Sequence, residues 1–409
     1  MKFFITTSYY PSYLRMFYGK NENIHLKNYS DQFKCLMNDC FGWSDFFDHE
    51  FRKLGYEVFQ SVNNAEFLQK RWALEANIRY SEDNWSTDIL FEQIKAFRPD
   101  VVWIHNWNDS FGPEFVKHIR SICPQIRLVM GHCGEAHPEA GYYRQHDILF
   151  SSSPDTVDFY KAHGAKVHHL NHAFSPLVLE RVGKSGSEIL KMHEAGFIGS
   201  LIYGDDFHNT RAFFLKELKE ELDIKLFSEV SKVVFSWPVS PVKSKALKTY
   251  FNLLNVLKEL KVPVSGFPKY ENYEHYVNSE AFTFLGQCAE APVFGLDMYR
   301  TLQSFKCFVN IHAESQYASN MKMFEVTGMG TCLVSDFKKN IKDLFEPDIE
   351  MVTFKTKQEC VEKVRYLIDH EEERKKIETA GHKRVLKQHT FGLRASKINE
   401  IIQQAIRDK

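Results

Sequence analysis

The sequence predicts an α/β protein built from parallel sheets, and three observations support this prediction. Short apolar runs, rich in β-branched and aromatic residues, alternate with amphipathic stretches along both halves of the chain. Polar or glycine-containing loops follow many of these runs directly, as they do where a strand leads into a crossover helix. The length of 409 residues leaves room for two domains of ordinary size, each with a buried core.

The N-terminal half begins with a strand and keeps the alternation up to residue 170. We expect strands at residues 2–7, 56–62, 101–104, 126–130, 148–152 and 167–170. Helices are predicted at residues 44–55, 65–76, 86–96 and 154–162. The segment 175–187 contains proline, glycine and serine, and we interpret it as the link between two domains.

The C-terminal half repeats the pattern and predicts a second parallel sheet. We expect its strands at residues 194–198, 262–264, 281–285, 307–311, 331–335 and 351–354. The predicted helices cover residues 210–222, 245–260, 295–304, 321–327, 357–369, 371–387 and 391–407. Because open α/β sheets bind ligands beyond the carboxyl ends of their strands, polar residues in the loops after strands are the first candidates for a site.

Three such candidates in the N-terminal half could accept a proton. His105 follows the third predicted strand, and His132 and Glu135 lie in the loop after the fourth. An imidazole or carboxylate in these loops suits the task of removing a proton from an acceptor hydroxyl. One alternative is an ordinary loop whose polar groups are satisfied by backbone. A metal site is a weaker alternative, because the spacing of the ligands fits no standard zinc motif.

Three further residues of this half could line the part of a site that binds the molecule with the acceptor hydroxyl, which we call the acceptor side. Tyr9 and Tyr10 follow the first predicted strand, and His172 follows the last one. The tyrosines could line a pocket for the acceptor. Aromatic packing against the end of the sheet explains them equally well.

The segment 320–336, NMKMFEVTGMGTCLVSD, holds most of the candidates in the C-terminal half. We expect a helix to begin near Asn320 and Met321, where unpaired N–H groups and the charge of Lys322 would attract phosphate oxygens. Glu325, one turn further, can accept two hydrogen bonds from a vicinal diol such as that of ribose. These residue types in this order favour a nucleoside diphosphate ligand.

The glycines of the same segment and one histidine before it complete this group. Gly328 and Gly330 would let the backbone approach a ligand closely. His312 follows the preceding strand and belongs to the same sheet edge. The alternative is a tight turn from helix to strand, with Lys322 and Glu325 forming a solvated ion pair.

This segment and the residues after it resemble the C-terminal half of GT-B glycosyltransferases, specifically the CgeB-like group. The similarity consists of a Phe-Glu-x-x-Gly-x-Gly core and a following Asp, then Phe-x-Pro-x-x-Glu, then a tail containing His-Thr-aromatic and Arg. The resemblance implies two Rossmann-like domains with a cleft between them, at residues 1–180 and 188–388. It also implies a C-terminal helix at residues 389–409 that crosses back to the first domain.

The resemblance assigns roles to individual residues as well. Glu325 would bind the ribose of the donor, and Lys322 would contact its diphosphate. Gly199 and Arg211 resemble the start of the donor domain, where an arginine can reach a diphosphate with two hydrogen bonds. Many retaining relatives carry a second glutamate eight positions before the one that binds ribose. This chain has Tyr317 at that position. Retention and inversion therefore both stay open.

The function implied is transfer of a sugar from a UDP- or GDP-linked donor to a hydroxyl group. The acceptor would be a glycan, a lipid-linked glycan, a protein or a small molecule. We expect no obligatory cofactor and no metal. Two alternatives are a GT-B-fold epimerase or phosphorylase and a non-catalytic protein that binds nucleotide sugars or glycans, since fold alone does not separate these functions.

Composition limits the partners and the location. The formal net charge of −1 gives no global support for nucleic-acid binding. Eight scattered cysteines, several of them in apolar runs, are typical of reduced thiols and indicate a cytoplasmic protein. Residues 1–7 form too short an apolar run for a signal peptide. Peripheral contact with a membrane stays open, because many relatives glycosylate lipid-linked glycans.

Overall fold

The protein contains two parallel β-sheets, each formed by one half of the chain. The structure is a computed structural model that describes residues 1–105, 111–137, 139, 141–183, 191–203, 206–230, 271–312 and 315–409. The first sheet consists of β1 (Lys2–Thr7), β2 (Glu57–Val62), β3 (Val101–His105), β4 (Leu128–Cys133), β5 (Ile148–Ser151) and β6 (Val167–His169). Its strand order is β2-β1-β3-β4-β5-β6, and all neighbours are parallel.

The order of the first sheet reverses at β1, which pairs with β2 on one side and β3 on the other. Thr7 at the end of β1 lies opposite His105 at the end of β3. A reversal of this kind leaves a crevice beyond the carboxyl ends of the two strands. The helices of this half are α1 (Pro11–Lys20), α2 (Tyr29–Asn38), α3 (Phe46–Lys53), α4 (Glu66–Glu75), α5 (Trp85–Phe97), α6 (Pro113–Ile122), α7 (Pro154–Ala162) and α8 (Pro176–Val182).

The second sheet has the order β11-β10-β9-β7-β8, again with all neighbours parallel. Its strands are β7 (His193–Ile198), β8 (Ile224–Phe227), β9 (Phe305–Asn310), β10 (Cys332–Asp336) and β11 (Val352–Phe354). Its helices are α9 (Asp206–Glu221), α10 (Glu271–Cys288), α11 (Gly295–Gln303), α12 (Lys322–Gly328), α13 (Ile341–Leu344), α14 (Lys357–Asp369), α15 (Glu371–Gln388) and α16 (Phe391–Arg407). The α/β prediction with two parallel sheets is confirmed.

One predicted strand is wrong. Residues 281–285 belong to α10 and not to a strand, because Ala281, Phe282 and Leu285 have helical spacing and are buried. The segment 175–187 contains the helix α8, which was not predicted: Pro176 opens it and Gly183, at φ +88°, follows its end. Its role as the link between two domains stays a prediction. The predicted helix 245–260 and strand 262–264 lie outside the described residues.

The last helix returns to the N-terminal sheet, as the resemblance implied. Thr390 caps α16, because its side chain accepts a hydrogen bond from the backbone N–H of Leu393. Phe391 enters an aromatic group in the first half, with its ring centroid 4.9 Å from that of Phe47. Further along the helix, the Tyr56 hydroxyl donates to Oδ1 of Asn399 at 2.6 Å. The domain limits at 180, 188 and 389 stay a prediction.

The two halves pack closely around Phe174, which follows β6. A Cβ atom on Gly328, at the end of α12, would overlap the Phe174 ring. The backbone N–H of Phe174 donates to the carbonyl of His389 at 2.9 Å. Both aromatic packing and backbone pairing therefore join the second sheet, the first sheet and the start of α16 at one place.

Replacing Gly328 by alanine should destabilise the protein by about 1–3 kcal/mol, because the added methyl group needs the space of the Phe174 ring. The free energy of unfolding in urea measures this change. Gly19→Ala is the matched control: Gly19 lies in α1, nothing lies within 4 Å of an added Cβ atom, and the expected change is near zero or slightly stabilising. Equal stability of the Gly328→Ala variant and wild type would contradict the packing described here.

Candidate active site

The carboxylate of Glu325 is buried and each of its oxygens has one hydrogen-bond donor. Lys322, three residues earlier on α12, donates from Nζ to Oε2 at 2.6 Å. The hydroxyl of Tyr299, on α11, donates to Oε1 at 3.3 Å. Tyr299 is fully buried, whereas the Lys322 side chain is 22% exposed. The predicted lysine–glutamate pair exists, but its carboxylate lies in the protein interior and not in solvent.

Glu325 faces the N-terminal half of the chain. Burial, followed by the negative charge of Glu325, raises the pKa of Tyr10, which comes from the loop after β1. Tyr10 is itself 41% exposed, so this side of the carboxylate is close to solvent. On the inner side, the Tyr299 ring lies edge-on to Phe174 with 6.3 Å between centroids. Glu325 thus lies where the two halves meet.

Asn320 and His312 belong to a hydrogen-bonded group at the carboxyl ends of β9 and β10. Asn320 donates to Asn310 at 2.8 Å, and Asn310 donates to Ser335 at 3.0 Å. His312 binds Asp336 through its backbone N–H at 2.9 Å and through Nδ1 at 2.8 Å. These contacts hold the two strand ends together, and they occupy the His312 side chain.

The ionisation of Asp336 supports this arrangement. Burial opposes its charge, but the hydrogen bonds from His312 and the charge of Lys338 outweigh burial and lower the pKa of the carboxyl group. Asp336 therefore stays negative beside His312. The sequence analysis placed Asp336 in the motif but gave it no role.

The remaining residues of the glycine-containing segment have structural positions. Met321 precedes α12, and its carbonyl accepts the backbone N–H of Glu325 at 3.0 Å. The prediction that Gly328 approaches a ligand is wrong, because Phe174 occupies that space. Gly330 has φ +71° and turns the chain into β10.

Gly199 and Arg211 meet at the end of β7. A Cβ atom on Gly199 would lie 2.9 Å from the Phe197 ring, so glycine is needed for packing. Arg211 donates from Nη2 to the carbonyl of Ile311 at 3.2 Å. Arg211 was predicted at a helix N-terminus. That placement is wrong, because α9 begins at Asp206, more than one turn earlier.

Three histidines from different parts of the first half come together on the other side of the interface. His105 ends β3, His132 lies in β4, and His172 follows β6. The ring centroids of His105 and His132 are 4.9 Å apart, and those of His132 and His172 are 6.2 Å apart. Trp43 stacks on His105 at 3.4 Å and touches the edge of His132 at 4.7 Å. We refer to these four residues as the histidine cluster.

The histidine cluster is electrically neutral near pH 7. Burial lowers the pKa of His105 to about 3, and the nearby His172 contributes in the same direction. Burial also lowers the pKa of His132 well below its usual value. For His172, burial and the charge of Arg394 lower the pKa to about 4. Each ring therefore has one nitrogen able to accept a hydrogen bond.

Two nitrogens of the cluster have no partner within the described part of the chain. Nε2 of His132 and Nδ1 of His172 are buried and unpaired. In contrast, His105 is within hydrogen-bond distance of the Thr7 hydroxyl at 3.3 Å. Since buried polar atoms normally have partners, the two unpaired nitrogens are suited to hydroxyl groups of a ligand.

The other predicted residues of the N-terminal half lie apart from this cluster. Glu135 is exposed on the turn after β4, and no described contact joins it to the histidines. His132 was expected in that loop, but β4 continues through Cys133, so His132 is a buried strand residue. Tyr9 packs in the core beside Tyr13, with 5.6 Å between ring centroids. Of the two tyrosines after β1, Tyr10 is the exposed one.

Sequence reasoning missed three residues that shape the site. Trp43 and Tyr299 are separated in sequence from their partners, and no local pattern marks them. Arg394 is the arginine of the tail motif, so a signal for it existed. It donates to the carbonyls of Asn171 at 2.9 Å and His172 at 3.1 Å, and thereby fixes the segment that holds His172.

Comparisons with known proteins identify one family model and several similar folds. Residues 211–400 match the family model described as "Glycosyl transferase-like". The fold is similar to that of HepE from Anabaena in complex with UDP and glucose, with a TM-score of 0.52, 10% identity, and coverage of 99% of this chain and 100% of that chain. No curated protein matches the sequence.

Two more crystal structures have the same fold over the whole chain. Sucrose-phosphate synthase from Thermosynechococcus elongatus has a TM-score of 0.52 at 7% identity, covering 100% of both chains. An alpha-glucosyltransferase in complex with UDP and a 13-mer DNA has a TM-score of 0.54 at 12% identity, covering 98% of this chain and 99% of that chain. The chain therefore has the GT-B fold of these proteins.

Two absences can be stated for the residues that the structure describes. None of their helices combines the length and hydrophobicity needed to cross a bilayer. Nor do three or more His, Cys, Asp or Glu side chains among them come together in a way that could hold a metal ion.

The neutral histidine cluster should make the stability of the protein depend on pH. A histidine in the unfolded chain gains a proton near pH 6.5, whereas the buried ones resist protonation. Their contribution is therefore present above pH 6.5 and is lost as the pH falls toward 4. When the pH falls from 7 to 5, each buried histidine of the cluster should lower the free energy of unfolding by about 1–2 kcal/mol.

Urea unfolding of wild type and of His172→Asn at several pH values measures this dependence. The variant should show a shallower slope below pH 6.5, by about one histidine's contribution. An unchanged slope would mean that His172 is protonated in the folded protein.

Proposed function

We propose that this protein is a glycosyltransferase that uses a nucleoside diphosphate sugar, with UDP or GDP as the carrier, and transfers the sugar to a hydroxyl group of a glycan-type acceptor. The observation that carries the proposal is the buried Glu325 carboxylate, held by Lys322 and Tyr299 at the meeting point of the two sheets. UDP is favoured over GDP because the HepE and alpha-glucosyltransferase structures contain UDP. Assignment to the CgeB-like group, a cytoplasmic location and peripheral membrane contact remain part of the proposal.

In the donor site, Glu325 binds the ribose diol and Lys322 binds the diphosphate. Lys322 is the more exposed partner of the carboxylate, so its ammonium group can move from Oε2 to phosphate oxygens. A ribose hydroxyl then takes the place of the ammonium group on Oε2. This exchange keeps the buried carboxylate paired throughout, which avoids the cost of leaving a buried charge without a partner.

Arg211, His312 and Asn320 belong to the walls of the same site. Arg211 bonds to the carbonyl of Ile311, directly after β9, so its charge lies at the sheet edge where the diphosphate is expected. Lys322 and Arg211 would stabilise the negative charge that develops on the leaving diphosphate. No metal is needed for this stabilisation, because both cations are part of the chain.

On the acceptor side, the histidine cluster supplies hydrogen-bond acceptors and, if the reaction inverts, the general base. His132 and His105 are the candidates for this base, since both are uncharged and lie at the carboxyl edge of the first sheet. Glu135 is the weaker candidate for the base, because no described contact joins it to the histidine cluster. Tyr10 and His172 complete the acceptor side.

Release of UDP or GDP across a panel of nucleotide sugars tests the proposed function. Release that requires an acceptor identifies a transferase. Interconversion of the sugar without release would indicate an epimerase, and binding without turnover would indicate a non-catalytic binding protein. Either of the last two results would overturn the proposal.

Glu325→Ala should weaken binding of the donor nucleotide by about 1–3 kcal/mol, because the ribose loses a charged acceptor. Isothermal titration with UDP and GDP measures the loss. Glu371, which forms an exposed pair with Lys375 on α15, offers the control variant Glu371→Ala, for which no change is expected. An unchanged affinity of Glu325→Ala would contradict the ribose assignment.

Lys322→Ala should weaken nucleoside diphosphates much more than the nucleoside, because only the former offer phosphate oxygens to the ammonium group. We expect a loss of about 1–2 kcal/mol for UDP and a smaller change for uridine. Lys375→Ala removes a lysine from the exposed pair on α15 and should change neither affinity. Equal losses for UDP and uridine in Lys322→Ala would disprove a phosphate role.

A further inference from the structure

The two donors to Glu325 differ in one important respect. Lys322 is partly exposed and can exchange its carboxylate oxygen for a phosphate. Tyr299 is fully buried on α11 and has no path to solvent of its own. Once Lys322 has moved, the Tyr299 hydroxyl is the remaining described side-chain donor to Glu325, at Oε1 and 3.3 Å.

We propose that Tyr299 is a positioning residue that holds the Glu325 carboxylate in the orientation that recognises ribose. This inference rests on the proposed function. It identifies a residue that makes the site prefer a nucleotide with ribose hydroxyls. With Oε1 fixed by the phenol, Oε2 is directed toward the side occupied by Lys322. A ribose hydroxyl arriving there meets an acceptor that is already oriented, which reduces the entropy lost on binding.

The surroundings of Tyr299 keep its hydroxyl a donor. Burial raises the pKa of Tyr299 well above its usual value, and the charge of Glu325 acts in the same direction. The phenol therefore retains its proton at neutral pH. A protonated phenol beside a carboxylate has a single sensible direction of hydrogen bonding, from the hydroxyl to Oε1.

The position of Tyr299 is fixed by contacts with the N-terminal half. Its ring meets Phe174, and α11 begins at Gly295, where a Cβ atom would overlap Asp39. The Tyr13 hydroxyl donates to that Asp39 carboxylate at 2.9 Å. Because α11 is packed against the first half at its start, the Tyr299 hydroxyl cannot move away from Glu325 without disturbing the interface.

The test compares a ribonucleotide with its dideoxy analogue. The affinities of wild type for UDP and GDP are measured first, and the tighter ligand is then compared with its 2′,3′-dideoxy form. In Tyr299→Phe, the affinity for the ribonucleotide should fall about three- to tenfold, while that for the dideoxy form should not change. In a Glu325→Ala background, Tyr299→Phe should cause no further loss.

Tyr56→Phe is the matched control. It removes the hydroxyl of another buried tyrosine, which donates to Asn399 at 2.6 Å and has no described contact with Glu325. Both affinities should equal those of wild type. Thermal unfolding of each variant separates a loss of stability from a loss of selectivity, because the ratio of the two affinities does not depend on the folded fraction.

Two kinds of failure can be told apart. Equal weakening of both nucleotides in Tyr299→Phe, or no weakening of either, would overturn the role of Tyr299. A further loss in the Glu325→Ala background would do the same. If wild type binds neither UDP nor GDP, or does not distinguish the ribonucleotide from its dideoxy form, the proposed function itself fails.

Discussion

The packing of residues 171–174 against the second sheet and the start of α16 is the interaction on which the rest of the structure depends. Phe174 fills the space left by Gly328 and pairs through its backbone with the residues before α16. Arg394 binds the carbonyls just ahead of Phe174. His172 and Glu325 belong to different halves of the chain, and this contact sets their relative positions. The proposed transfer needs such a constraint because donor and acceptor must meet with defined geometry.

The site achieves its chemistry with buried polar groups, which are costly unless they are paired or uncharged. The protein uses both solutions. Glu325 has a described donor on each carboxylate oxygen, whereas burial keeps the histidine cluster neutral. Arg394 is a third case: burial lowers its pKa to about 10, and its guanidinium donates to backbone carbonyls and to His389. Because these buried polar groups are either paired or uncharged, they can lie in the same interface as a dense aromatic core.

Local patterns in the sequence predicted most of the described fold. Helix 391–407 was predicted with its observed limits, because Thr390 is a good cap and the helix has regular apolar spacing. The apolar run 281–285 was misjudged, since a short run alone does not separate a strand from a buried helix. The helix α8 was not predicted within the segment 175–187, although its proline and glycine mark the two ends of that helix.

The candidate site was predicted less completely, for a physical reason. Glu325 and Lys322 are neighbours on one helix turn, so their pairing follows from local spacing. Tyr299 reaches Glu325 from another helix, and Trp43 reaches His105 from a loop far away in sequence. Gly328 was assigned to a ligand because its actual neighbour, Phe174, comes from the other half of the chain. Contacts of this kind depend on how the halves meet, which no single stretch of sequence encodes.

The return of α16 to the first sheet has a consequence for biosynthesis. Phe391 and Asn399 complete a core that otherwise consists of residues such as Phe47 and Tyr56. On the ribosome, these early residues emerge long before their late partners have been translated. The second sheet can therefore close its own core first, and the half that is made first reaches its final packing last. Until α16 packs against it, the aromatic surface of the N-terminal half is uncovered. A chaperone would protect the nascent chain during this interval.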